Sequence, residues 1–245
     1  MKNTILLLIS LSFILALSNS ETANTIPKGQ FEVGLFQPLK YGMTEKVELS
    51  THPLAFFLMP NLTIKNKVGD GTAARFSIYY PTYLLRLLTR EGSGGLIAPD
   101  PTIPGIPHMV SIRQELLVTK SFSSTIITAK AGFSIATKFG GELDSRTEIE
   151  FPTIYQRLNV FYNGHGFNSG LDIRHSFGKL DILADVDIFY LPEDTNTTFI
   201  EHKSMLIWNK SNRFQTAVGY KLVYGEYTDG KDLDIVPVFD LVWSW

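Results

Sequence analysis

The chain has 245 residues, of which 44% are hydrophobic, 12% are aromatic and 19% are charged, and its net charge is −2. So many apolar residues exclude an intrinsically disordered chain, and the small net charge gives no broad attraction to nucleic acid. The chain has no cysteine, which excludes a disulfide framework, a cysteine-linked lipid anchor and a thiolate metal site.

Residues 1–20 have the layout of a secretory signal peptide. Lys2 gives a positive start, Ile5–Leu17 is an apolar run, and small or polar residues follow at 18–20. An uncleaved membrane anchor is the alternative, but this run of 13 residues is short of the roughly 20 that a helical span needs. We therefore predict a signal peptide over 1–20, with cleavage near Ser20–Glu21, and a single domain over 21–245.

The rest of the chain alternates apolar and polar residues with the period of β-strands. The clearest stretch is 234–245, DIVPVFDLVWSW, in which one face is strongly apolar and aromatic. Recurrence of such segments to the last residue is typical of a transmembrane barrel; a secreted soluble β-sandwich is the alternative. We predict an all-β, closed antiparallel transmembrane β-barrel of about twelve strands, with ten as the alternative. The expected strands lie near 29–43, 46–58, 61–67, 73–82, 108–119, 125–139, 149–162, 167–177, 180–190, 198–208, 213–225 and 233–245.

A Pro/Gly-rich insertion near 83–107 interrupts this pattern. It begins with YLLRLL, which could form a short amphipathic helix, and continues as EGSGGLIAPDPTIPGIP. Long stretches without regular structure are often functional or mobile. The strand count predicts that the insertion lies on the periplasmic side, with the C-terminus; a plug inside the lumen and an unstructured connection are the alternatives.

The signal peptide, the alternating strands and the terminal FDLVWSW together resemble a Gram-negative outer-membrane β-barrel. In that class the last strand ends in Phe or Trp and is read by the barrel-assembly machinery. The resemblance implies an assembly signal at Phe239, Leu241, Trp243 and Trp245, and a location in the outer membrane, in contact with its lipid. Residues 31–50 also resemble a hairpin of small outer-membrane transporters of the phenol-degradation-pathway type, through a reversal at Tyr41-Gly42-Met43-Thr44-Glu45.

Charged residues occupy the polar faces of the expected strands. Arg or Lys facing lipid at the bilayer centre costs about 2–4 kcal/mol, so we expect these side chains to line the lumen. Either they form ion pairs that fill a narrow interior, or they line a polar conduit. Asp185 and Asp187 could share Ca²⁺, but pairing with Arg174 and Lys221 is the favoured reading, so no metal is expected. The predicted lumen residues are Arg113, Glu115, Lys130, Asp172, Arg174, Asp181, Asp185, Asp187, Arg213 and Lys221.

His202 and Ser204 share one strand face, and a His-x-Ser pair of this kind looks like that of outer-membrane phospholipases and lipid A deacylases. The resemblance implies that His202 activates Ser204 for acyl hydrolysis. We predict primarily a passive channel for small molecules, without a cofactor. The alternatives are this lipid acyl hydrolase and a closed barrel that supports envelope integrity.

Overall fold

The computed structural model describes residues 21–88, 105–147, 155–192, 197–227 and 230–245. They form a closed barrel in which every strand is antiparallel to its neighbours and the last strand pairs with the first. The predicted all-β barrel of twelve strands is therefore confirmed. The strands are β1 (Phe31–Gly34), β2 (Leu39–Gly42), β3 (Val47–Thr51), β4 (Asn61–Gly69), β5 (Thr72–Tyr79), β6 (His108–Phe122), β7 (Thr125–Phe139), β8 (His165–Phe177), β9 (Leu180–Leu191), β10 (Thr197–Ser211), β11 (Phe214–Tyr227) and β12 (Gly230–Ser244).

In the described parts of the chain, four short α-helices lie in the connections between strands. They are α1 (Pro53–Phe56), α2 (Thr82–Leu88), α3 (Tyr155–Leu158) and α4 (Val160–Asn163), and a 3₁₀ turn covers Ser145–Thr147. Within the described ranges no helix has the length and apolar character that crossing a bilayer would require.

The two ends of the barrel differ in the length of their connections. At the end that carries Trp245, the strands are joined by the short turns 43–46, 70–71, 123–124, 178–179 and 212–213. We call this the turn end. At the opposite end, the loop end, the connections include 52–60, 80–107 and 140–164. Thr44 shapes the first short turn, because its hydroxyl accepts hydrogen bonds from the backbone N–H groups of Lys46 and Val47.

The predicted number of strands is correct, but two of the assignments behind it are wrong. The segment 29–43 is not one strand: it forms both β1 and β2, with a reversal at 35–38. The segment expected as a strand at 149–162 is helical from Tyr155 onward in α3 and α4, and 148–154 lie outside the described residues. The segment 29–43 gives one strand more than expected and the segment 149–162 gives one fewer, so the total is unchanged.

This shift also moves the insertion near 83–107 to the other end of the barrel. Five strands precede it instead of four, so α2 begins at the loop end, opposite the C-terminus. The prediction that the insertion lies on the side of the C-terminus is therefore wrong. Residues 89–104 lie outside the described residues.

The strands of the barrel wall differ in length around its circumference. The first five strands have 4–9 residues and the other seven have 12–15. β12 pairs with β11 along nearly its whole length but with β1 only at Val242–Ser244. Pro237 lies where β12 is paired on one side only, and a residue without an N–H is tolerated on such an edge.

Side chains alternate across the wall as the sequence predicts. The outward face carries exposed apolar and aromatic side chains on every long strand, among them Phe133, Ile182 and Trp208. The inward face carries most of the buried charged residues. An apolar exterior around a charged interior is the arrangement of a barrel whose outer face contacts lipid.

The four residues of the expected assembly signal lie on the outward face of the terminal strand segment. Phe239, Trp243 and Trp245 are exposed, and Leu241 is half-buried. Trp245 stacks on Phe31 across the closing seam, with ring centroids 5.7 Å apart. Their recognition by an assembly machinery stays a prediction.

Candidate functional site in the barrel lumen

The centre of the lumen is a network of buried charges around Lys130. Its ammonium lies 2.8 Å from Asp187 Oδ1, 3.0 Å from Asp172 Oδ1 and 3.2 Å from Glu21 Oε2. Lys130 and Asp172 come from β7 and β8, and their neighbouring strand β9 supplies Asp187. Only 2% of the Lys130 side chain is exposed, so its charge is stabilised by these three carboxylates rather than by water.

Arg75 extends this network across the lumen. Its Nη2 lies 2.8 Å from Glu21 Oε2, and its Nε donates to Glu115 Oε2 at 2.8 Å. Glu115 Oε1 is in turn 2.8 Å from Arg113 Nη2 and accepts a hydrogen bond from the Asn168 amide at 2.9 Å. Both oxygens of this nearly inaccessible carboxylate are therefore bound.

A second charged group surrounds Glu201 on β10. Lys221 Nζ and Arg157 Nη2 each lie 2.8 Å from Glu201 Oε2, and the Gln156 amide also donates to this carboxylate. Arg157 sits over the ring of Phe189, 4.8 Å from its centroid. Arg157 and Gln156 belong to α3, so this group ties the helical loop segment to the inner wall.

Further ion pairs lie along β9 and involve the aspartates for which the sequence left open a shared Ca²⁺. Asp185 pairs with Lys203 at 2.7 Å, and Asp181 Oδ2 accepts from Arg174 Nε at 2.9 Å. The partners expected from the sequence were wrong for Asp185 and Asp187, which pair with Lys203 and Lys130. Across the described ranges, no cluster of three or more potential ligands could hold a metal ion.

The N-terminal residues 21–30 fill the turn end of the lumen, and we call them the plug. The backbone N–H of Ala23 donates to Thr119 Oγ1 at 2.8 Å, and that of Ile26 donates to Glu48 Oε2 at 3.0 Å. Ala23 is fully buried against Ala73 and Leu117. The plug is thus held by specific contacts with the inner wall.

The plug passes so close to β2 that only glycine fits beside it. A Cβ atom on Gly42 would lie 2.1 Å from the carbonyl oxygen of Pro27. The two segments also share backbone hydrogen bonds, including Gly29 N to Gly42 O at 2.8 Å. This close approach fixes where the chain leaves the lumen to begin β1.

An apolar cluster, which we call the lid, lies at the loop end of the barrel. Thr82 fixes α2 to the start of β6, because its hydroxyl donates to Pro107 O and accepts from Met109 N. The cluster includes residues from α2, from α3 and α4, and from the segment that leads into β6. Its buried members are Leu84, Leu85, Ile106, Met109, Leu158, Val160 and Phe161.

A polar cavity of about 130 Å³ lies beside the plug residues Glu21 and Thr22. It is lined by residues of both charged groups, including Glu21, Arg75, Lys130 and Glu201. A smaller and more apolar cavity of about 50 Å³ lies under the lid, beside Phe161 and Phe189. The interior therefore has room for a few water molecules or a small polar solute.

Nine of the ten lumen residues predicted from the sequence belong to strands and point inward. Arg213 is the exception, because it is exposed in the short turn between β10 and β11. The residues that the sequence analysis missed include Glu21, Arg75, Arg157, Glu201 and Lys203. Glu201 and Lys203 could have been found, since they alternate with His202 and Ser204 along β10. Glu21 and Arg157 could not, because they lie outside the strands.

His202 and Ser204 lie on the outside of the barrel. The Ser204 hydroxyl is 3.1 Å from His202 Nε2, and His202 Nδ1 is 2.8 Å from the carbonyl oxygen of Asp185. A carbonyl can only accept, so Nδ1 carries the proton and Nε2 accepts from Ser204. This is the arrangement of a serine and a histidine base with an orienting group.

The barrel is similar in fold to a solved structure titled as a COG4313 outer membrane channel from Pseudomonas putida F1. The two share 7% sequence identity with a TM-score of 0.55, over 94% of this chain and 100% of the other. A second solved structure that matches is the ferric yersiniabactin uptake receptor FyuA from Yersinia pestis. The match has a TM-score of 0.25 and 11% identity, over 92% of this chain and 44% of that one. At this TM-score it supports no inference.

No protein-family model matches the sequence, and no protein with a curated description matches it either. The likeness to the Pseudomonas channel therefore shows a shared barrel fold. The expected resemblance of residues 31–50 to phenol-degradation-pathway transporters is not confirmed. It stays a prediction, although the tight reversal at Tyr41–Glu45 on which it rests is present in the structure.

Proposed function

We propose that the protein is an exported outer-membrane channel for small polar solutes, and that it rests in a closed state. The observation that carries this proposal is the polar cavity beside the plug, lined by charged side chains inside an apolar barrel. A barrel that served only as a membrane anchor could fill its interior with apolar side chains. Here the interior keeps paired charges instead, which suit the passage of polar molecules.

The plug is the element whose displacement would open the channel. It is held by hydrogen bonds, by the ion pairs of Glu21, and by one small apolar contact at Ala23. These contacts belong to a segment of ten residues without strand or helix, so they can be lost without breaking the barrel wall. Solute size would then be set by the space around Lys130 and Arg75.

Single-channel recording in planar bilayers tests this proposal. Ala23→Asp places a charge in a fully buried apolar contact and should expel the plug, so the open fraction should rise well above that of the wild type. Asn24→Asp adds the same charge at the exposed neighbouring residue and should behave like the wild type. If neither the wild type nor Ala23→Asp conducts at any voltage, the protein is instead a closed structural barrel.

An acyl hydrolase is a second candidate, favoured by the hydrogen bonds of Ser204 and His202. One feature makes it the weaker of the two. Ser204 is the eighth of the 15 residues of β10, so it faces the middle of the apolar belt, whereas lipid esters lie at the edge of a hydrocarbon core about 30 Å thick.

Labelling with a fluorophosphonate probe in lipid vesicles decides this second candidate. A hydrolase would be labelled at Ser204, and Ser204→Ala would lose both the label and phospholipid hydrolysis. Thr198→Ala, an exposed hydroxyl residue on the same face of β10, is the matched control. Equal hydrolysis by the wild type and Ser204→Ala would eliminate the enzyme.

A further inference from the structure

Glu21 places its backbone nitrogen inside the charged network as well as its side chain. The nitrogen lies 3.3 Å from Asp172 Oδ2, while the Glu21 carboxylate is 2.8 Å from Arg75 and 3.2 Å from Lys130. The main chain at Glu21 is thus directed at a carboxylate that is itself buried. In the intact chain this nitrogen is an amide with a single proton to donate.

Among the described residues, the network around Lys130 has one more carboxylate than it has cations. The ion pairs connect the carboxylates of Glu21, Glu115, Asp172 and Asp187 with the cations Arg75, Arg113 and Lys130. The neighbouring Lys203–Asp185 pair has one cation and one carboxylate, so including it leaves the surplus of one carboxylate unchanged. Glu201 has two cations, so the lumen as a whole is near neutral, but the surplus carboxylate lies at Lys130, beside the Glu21 nitrogen.

We infer that removal of residues 1–20 converts this nitrogen into an α-ammonium group that pairs with Asp172 and completes the network. A leader peptidase would hydrolyse the Ser20–Glu21 bond. Water supplies the oxygen for the new Ser20 carboxylate, and the released Glu21 amine takes up a proton. The network then has four carboxylates and four cations, and an amide contact becomes a charge-assisted pair, which is a stronger interaction.

The sequence permits a cut at this bond, on grounds independent of the lumen geometry. Ser18 and Ser20 stand three residues and one residue before it, the positions at which signal peptides carry small side chains. A cut one or two residues away would move the ammonium away from the nitrogen that faces Asp172. The leader contains the apolar run Ile5–Leu17, which a charged lumen would not accommodate, so cleavage precedes docking of the plug.

Chemical labelling of the α-amine tests this inference. The protein is expressed from the full-length gene, exported and purified in detergent. Intact mass and N-terminal sequencing should identify Glu21 as the first residue. The α-amine-selective reagent 2-pyridinecarboxaldehyde should react slowly with the folded protein and rapidly after thermal unfolding. Asp172→Asn should speed labelling of the folded protein by about tenfold, because the amine is released by local opening of the plug. Asp181→Asn, a lumen carboxylate outside the Lys130 network, should not.

A second variant keeps the test decisive if Asp172→Asn fails to fold. Inserting Gly-Ser between Ser20 and Glu21 moves the ammonium while leaving the lumen unchanged, and should give rapid labelling. A first residue other than Glu21, or equal labelling of folded and unfolded wild type, would overturn the inference. It depends on the proposed export but not on conduction, so the bilayer recordings can fail while the labelling result stands.

Discussion

The Asp240 carboxylate accepts a hydrogen bond from the backbone N–H of Phe36 at 3.1 Å, across 204 positions of sequence. It also accepts one from Leu241 N at 2.8 Å. Asp240 is fully buried on the inner side of β12, and its contact holds the 35–38 reversal where β1 ends. One side chain of the last strand therefore links this strand to the reversal that divides the first segment into two short strands.

Asp240→Ala should destabilise the closing seam. The substitution removes a hydrogen-bond acceptor of Phe36 N at a half-buried site, and the loss of such a hydrogen bond costs about 1 kcal/mol. We expect a lower midpoint of unfolding in urea, measured by heat-modifiable gel migration in lipid vesicles. Asp232→Ala, at an exposed position on the same strand, should leave the midpoint unchanged.

Gly170→Ala should disrupt the charged network without changing any charge. A Cβ atom at Gly170 would lie 2.0 Å from Asp187 Oδ1, 2.5 Å from Lys130 Cε and 2.9 Å from the Val186 carbonyl oxygen. Because a backbone atom is among these neighbours, side-chain movement alone cannot relieve the crowding, and we expect a loss of about 1–3 kcal/mol of stability.

Gly69→Ala provides the control for this prediction, since its nearest neighbour would be a Thr72 side-chain atom at 3.7 Å. Urea titrations of both variants in the same vesicles give the comparison. Equal midpoints would show that the network can shift to accept a side chain at residue 170.

Lys130→Met should lower the stability of the folded barrel more than the loss of an exposed lysine does. It keeps the volume but removes the cation shared by Glu21, Asp172 and Asp187. Breaking a buried ion pair on one side costs about 3–5 kcal/mol. We expect reduced folding yield and a much lower urea midpoint, with Lys120→Met, at an exposed position, close to the wild type. A midpoint equal to that of the wild type would contradict the role assigned to Lys130.

His52 should make the stability of the loop end sensitive to acid. It lies between β3 and α1, where burial, and secondarily the charge of Lys40, lower its pKa from 6.5 to about 4. Between these values the unfolded chain binds a proton that the folded protein does not, so stability falls as the pH drops from 6.5 to 4. His52→Gln should reduce this fall. Urea midpoints at pH 7.5 and pH 4.5 measure it, and an unchanged pH dependence in His52→Gln would refute the prediction.

The sequence by itself determined the barrel, its long strands and the side of the wall that most of their residues face. These features follow from local sequence, because successive side chains of a strand point to opposite faces. In β9, Asp181, Asp185 and Asp187 alternate with apolar residues, and no distant contact is needed to place them inward. The closing strand was identified in the same way, because Phe239, Trp243 and Trp245 recur on one face.

Only the tertiary structure decided where the first strands divide and what fills the lumen. The reversal at 35–38 is hydrogen-bonded to Asp240, and the helical segment 155–163 is bound through Arg157 to Glu201 on β10. Glu21 enters the charged network because the barrel wraps around it, through contacts with Arg75 and Lys130 that lie 54 and 109 positions away. Such contacts join residues with no pattern in common, so their partners become defined only when the barrel closes.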